Sequence, residues 1–152
     1  LIDARYVFKG MRKKPEVMEK VFWKLGDQIL KYMELVKEYG GDLISYADSS
    51  GGVNILGPKM MEAVTVNFTY PFLKKVEQLA DDKTMILLCP KTTLALIGTE
   101  KAKFVDHQLE EPIGYAQACI HMIGKAHFAG QMCIKNVGYQ LNHGIFKEVK
   151  LL

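Results

Sequence analysis

The run Met85-Ile86-Leu87-Leu88, bounded by Asp81-Asp82-Lys83 before it and Cys89-Pro90 after it, is apolar at every position. A half-exposed strand alternates apolar with polar residues, so a run without alternation suits a strand covered on both faces, as in a parallel sheet fed by helical crossovers. Leu43 to Ala47 forms a similar short run, and His127 to Met132 another. Each stops on or beside a reactive side chain: Asp48, Cys89 and Cys133 respectively. In parallel α/β sheets the C-terminal strand ends face the binding crevice, so these three ends can converge on one site. The chain therefore reads as the core of an enzyme.

Helical segments separate these runs. Val17, Val21, Leu25, Ile29, Met33 and Val36 recur at three- or four-residue steps, which predicts an amphipathic helix begun by Pro15 and ended at Tyr39 by Gly40-Gly41. Pro58 opens a second helix carrying Met61, Val64 and Phe68, which Pro71 should break before a further piece carries Phe72, Val76 and Leu79. A short helix is expected over 92–99, a strand over 103–107, a helix from Pro112 to Gly124 with Ile113, Ala116, Ile120 and Ile123 inward, and a last strand over 147–152. This alternation predicts α/β architecture with parallel βα units. Four or five such units are about half of what a closed barrel of ~250 residues requires. The expected fold is thus a partial TIM barrel, a half barrel whose bare edges call for self-association, another chain or a missing barrel half.

Composition narrows the setting. With 152 residues and 49% apolar content the chain suits a single domain, and no 18-residue apolar run predicts a membrane span. The net charge of +3 comes from dispersed pairs such as Lys13-Lys14 and Lys74-Lys75, which reads as a solvated face and not as a nucleic-acid footprint. Three cysteines without a CxxC pair indicate thiols in a reducing cytoplasm. The start at Leu1, with no charged and apolar leader after it, is expected to lie within a longer protein and not in a signal peptide.

From Gly41 onward, GGDLISYADSSGGVNILGPKMMEAVTVNFTYPFLKKV resembles the uroporphyrinogen decarboxylase superfamily, which includes corrinoid-dependent methyltransferases acting on zinc-bound thiols. The resemblance rests on Gly41, Asp48, Ser49, Gly51, Gly52, Pro58, Pro71, Phe72, Lys74 and Lys75. It implies that residues 1–152 are one domain from the C-terminal half of a longer barrel. It also implies methyl transfer between a corrinoid, carried by a partner protein, and a small acceptor such as a thiol. The alternatives are porphyrinogen decarboxylation and a non-catalytic, partner-binding half barrel. Family methyltransferases carry His-x-Cys at the next strand end, where this chain has Leu87-Leu88-Cys89; the Gly-Asn-x-Asp-Pro of the decarboxylases is here Gly130-Gln131-Met132-Cys133-Ile134.

The candidate residues follow. Asp48, Cys89 and Cys133 are the catalytic candidates, and Tyr46, Ser49 and Thr92 the substrate-binding ones. Zinc, which lowers the pKa of a bound thiol, would take Cys89, Cys133 and His107, with Asp48 as an alternative third ligand. Cys119 lies within a helix and is assigned to the core, as are Met60, Met61, Met85 and Met122.

Overall fold

A computed structural model describes residues 4–48, 52–110, 112–136, 138–141 and 143–152. In chain order the elements are α1 (Ala4–Lys13), α2 (Pro15–Glu38), β1 (Leu43–Tyr46), α3 (Val53–Leu56), α4 (Pro58–Val64), α5 (Tyr70–Val76), β2 (Met85–Leu88) and α6 (Pro90–Gly98). They continue with β3 (Ala102–Gln108), β4 (Ile113–Gly114), α7 (Tyr115–His121), β5 (Phe128–Ala129), β6 (Gln140–Leu141) and β7 (Ile145–Leu151). No helix among the described residues is long and apolar enough to cross a membrane.

The main sheet has the order β1-β2-β5-β7-β3. β1, β2 and β5 pair in parallel, with Tyr46 beside Leu88 and Leu87 beside Ala129. β7 runs antiparallel to both of its neighbours. The α/β expectation holds, whereas the all-parallel one fails at β7. The half-barrel order also differs: successive barrel strands are neighbours, but here β5, not β3, lies beside β2. The sheet is open, with β1 and β3 at its two ends, and helices cover both of its faces. Ile86 and Leu88 pack with Met33, Phe72, Val76 and Leu96 on one side. Met85 and Leu87 pack with Tyr115, Cys119 and Met122 of the α7 side on the other. Thus β2 is buried at all four positions, and in a half barrel α7 would occupy the interior face.

Two helices turn differently from what their periodicity suggests. In α2 the buried positions are Gly26 and Met33, with Trp23 and Leu30 packed against the core, while Val17, Leu25 and Ile29 remain largely exposed. The reason lies opposite α2: Phe68 takes Phe22 and Trp23 at ring distances of 5.6 and 5.4 Å, which draws the aromatic side of the helix inward. In α7 the inner residues are Tyr115, Ala118 and Cys119, and Ile120 is exposed. Ile113-Gly114 is not helical because it pairs with Gln140-Leu141.

Pro71 does not break its helix. Thr65–Thr69 forms a π-helical turn between α4 and α5, in which the Tyr70 amide reaches the Thr65 carbonyl. Widening the backbone one turn ahead of a proline relieves the clash between its ring and the preceding carbonyls. The turn also sets Phe68 and Phe72 in a stack with ring centroids 5.5 Å apart.

Candidate active site at the ends of β1 and β2

Parallel pairing brings the ends of the first two strands side by side. The Cys89 amide donates to the Tyr46 carbonyl at 3.2 Å, continuing the β1–β2 register beyond Leu88. α6 starts immediately afterward, with Cys89 extended at its N-cap and Pro90 in the first turn, where a missing amide costs least. Thr92, a substrate-binding candidate, ties the strand ends together: its hydroxyl donates to the Asp48 carbonyl at 3.3 Å. Gly52 completes the arrangement, since a Cβ there would stand 3.2 Å from Lys91 Cδ and 2.8 Å from Asn54 Oδ1.

Tyr46 and Asp48 face one cavity of about 240 Å³ beneath α1 and α2, whose remaining walls are apolar. Burial, and secondarily the Asp48 carboxylate, pushes the Tyr46 phenol well above its ordinary range, so it stays a neutral hydroxyl at physiological pH. Its ring packs on Phe72 at 5.5 Å. The cavity wall from α1, formed by Val7, Phe8 and Met11, was not foreseen from the sequence. A usable signal exists, since Val7 and Met11 stand four residues apart, one helical turn.

The three thiols separate by environment. Cys119 is buried against Tyr115, and burial pushes its thiol up to about 11. Cys89 and Cys133 are partly exposed. β5 leaves the sheet after Ala129, and Cys133 follows in the loop before a short 3-10 turn. Gly130 is required at that departure: a Cβ would lie 2.2 Å from Thr93 Oγ1 and 2.9 Å from Val149 Cγ2.

His107 lies elsewhere. It sits on β3, three strand spacings from β2, about 14 Å at ~4.8 Å per spacing. There Nε2 meets Glu148 Oε2 at 2.9 Å, and the ring stands edge-on to Phe146. A separate polar cleft of about 640 Å³ includes it, with Asp106, Glu110, His121 and Lys125. Among the described residues no three His, Cys, Asp or Glu side chains are grouped to hold a metal ion. The expected trio of Cys89, Cys133 and His107 therefore does not fit zinc, because β5 and β7 intervene between β2 and the histidine strand. Ser49 lies outside the described residues.

Basic residues on the helical face are engaged locally. Lys75 stands 4.5 Å over the Trp23 ring and 3.6 Å from Asp27, and Lys74 pairs with Glu77 at 3.0 Å. No protein-family model, curated protein or solved structure matches the chain.

Proposed function

We propose that the chain belongs to an enzyme that moves a methyl group between a corrinoid and a small acceptor such as a thiol. The observation that carries this reading is the adjacency of the Asp48 and Cys89 strand ends, joined by the Cys89–Tyr46 and Thr92–Asp48 hydrogen bonds. A corrinoid, carried by a partner protein, would supply a transferable methyl group. The chain's own part is to seat the acceptor beside Asp48, which can take its thiol proton, and to shield it with the neutral Tyr46 hydroxyl and the apolar wall. No step is routed through zinc, whose expected ligands are not grouped. A reducing, cytoplasmic setting belongs to the same reading, in keeping with three unpaired cysteines.

The half-barrel organisation implied by the resemblance would keep β1, β2 and β5 as successive parallel strands and treat β7 with β3 as an appended pair. Decarboxylation of a porphyrinogen is the second reading, favoured by Asp48 beside Tyr46, since an acidic group holding pyrrole nitrogens needs no thiol. A non-catalytic, partner-binding role is the third, favoured by the open outer edge of β1.

Incubation of the protein with methylcobalamin and 2-mercaptoethanol, followed by mass spectrometry of the thioether, tests the first reading. Product formation lost in both Asp48→Asn and Cys89→Ser supports it. Product unaffected by either substitution, or no product, contradicts it. Release of carbon dioxide from a porphyrinogen that survives Cys89→Ser selects the second.

A further inference from the structure

Although basic pairs are scattered along the sequence, the chain's excess positive charge is concentrated at α1. Between Ala4 and Lys14 stand five of the 20 basic residues, Arg5, Lys9, Arg12, Lys13 and Lys14, and none of the 17 acidic ones, so the remaining residues are net acidic. Arg12 and Lys13 fall in the last turn of α1, where the helix dipole favours cations. That local reason does not extend to Lys9, which stands in mid-helix. Steps of three and four residues put Lys9, Arg12 and Lys13 on one side of the helix, and all three are exposed. Arg5 lies on the same side but already has a contact within the chain.

The other side of α1 is fixed against the body of the protein. Gly10 lies on α2, where a Cβ would stand 2.6 Å from Met18 Sδ, and Val7 and Met11 join Phe22 in walling the apolar cavity of about 240 Å³. Phe8 belongs to both surroundings: it lines this cavity and also a groove of about 370 Å³ bordered by Arg5, Lys9, Arg12 and Lys13. Cations and an apolar wall thus meet at one half-buried ring.

We propose that α1 is a docking surface for a membrane containing anionic phospholipids. Lipid phosphates meet Lys9, Arg12 and Lys13, and Phe8 sits at the level where headgroups give way to acyl chains. A helix of ten residues, about 15 Å long, lies flat on such a surface, and repulsion of the net-acidic remainder keeps α1 foremost. Duplex DNA offers the same phosphates but no apolar layer for Phe8 and the cavity wall, so the meeting of the two surroundings at Phe8 favours lipid. Methyl transfer uses the ends of β1 and β2, so docking at α1 stands or falls separately.

Flotation of the full chain with vesicles of phosphatidylcholine alone, and with about 30% phosphatidylserine added, tests the proposal. The chain should float with the serine-containing vesicles only, and less of it as rising salt screens the contact. Arg12→Gln with Lys13→Gln should weaken that binding roughly 30-fold, the scale of two phosphate-facing cations. Lys103→Gln with Lys150→Gln removes the same charge from exposed positions of β3 and β7 and should leave binding unchanged. Phe8→Ala should weaken vesicle binding without altering capture of a DNA duplex; should that variant misfold, the two charge pairs still decide the matter. Asp48→Asn and Cys89→Ser should leave flotation intact even where methyl transfer is lost. Equal flotation with phosphatidylcholine alone, no flotation with the serine lipid, an equal loss in the Lys103 and Lys150 pair, or tighter binding to duplex DNA than to the vesicles overturns the proposal.

Discussion

Gly130 and Thr93 show how closely the strand ends are assembled. The Thr93 hydroxyl is buried without a hydrogen-bond partner among the described residues, against a glycine whose Cβ would come within 2.2 Å of it. Gly130→Ala should therefore destabilise the fold by about 1–3 kcal/mol, the usual cost of overpacking. Adding Thr93→Ala should recover part of that loss, giving a coupling visible in a double-mutant cycle of urea melts; additive losses would show that the two residues do not touch. Cys119 supplies a second prediction. Its thiol is raised to about 11 by burial, above the ordinary 9.0 that applies in the unfolded chain. Between these values the unfolded state binds fewer protons, so this contribution to stability is complete below pH 9 and declines as pH rises toward 11. Cys119→Ala should flatten that alkaline decline in denaturant midpoints. At pH 8, thiol labelling should modify Cys89 and Cys133 quickly and Cys119 only after denaturation.

At the scale of elements, β3 and β7 form the longest ladder, with seven residue pairs. Asp106 lies opposite Lys147, and their side chains meet at 2.7 Å; Lys103, by contrast, lies opposite Lys150. Opposed like charges weaken a strand pair, so Lys150→Glu should raise stability by about 0.2–1 kcal/mol and lose that gain in high salt. An unchanged melting temperature at low salt would count against the register. This ladder also marks where sequence reading stops. β2 was legible because four consecutive apolar residues demand cover on both faces, and α2 because its period and terminal glycines are local signals. The facing of α2 was not legible: Leu25 and Ile29 carry the period, but the position of Phe68 on a π-helical turn decides which side is buried. Nor was the direction of β7, since reversal depends on a partner, β3, some forty residues earlier in the chain. For the site, the strand-end rule located Asp48 and Cys89 together, whereas His107 was misjudged because sequence order does not reveal that β5 and β7 lie between.

For the whole molecule, β1 stands at one end of the sheet order, and α2, which packs against β1, carries the exposed apolar side chains of Leu25, Ile29, Tyr32 and Leu35. Unpaired strand backbone beside apolar side chains favours association. Light scattering at micromolar concentration should show a dimer or larger species, and Ile29→Lys with Leu35→Lys should shift it toward monomer; a wild-type monomer would contradict this. The central claim is that parallel β1 and β2 deliver Asp48 and Cys89 to one place. Extending their register puts Ala47 opposite Cys89, about 4.8 Å apart at the usual strand spacing and inside the ~4.4–6.8 Å range for disulfides. In a chain carrying Cys119→Ala and Cys133→Ser, Ala47→Cys should form a disulfide with Cys89 on mild oxidation, identified by peptide mass spectrometry. A bond from Ser45→Cys to Cys89 in its place, or no bond from either position, would contradict the arrangement on which the site depends.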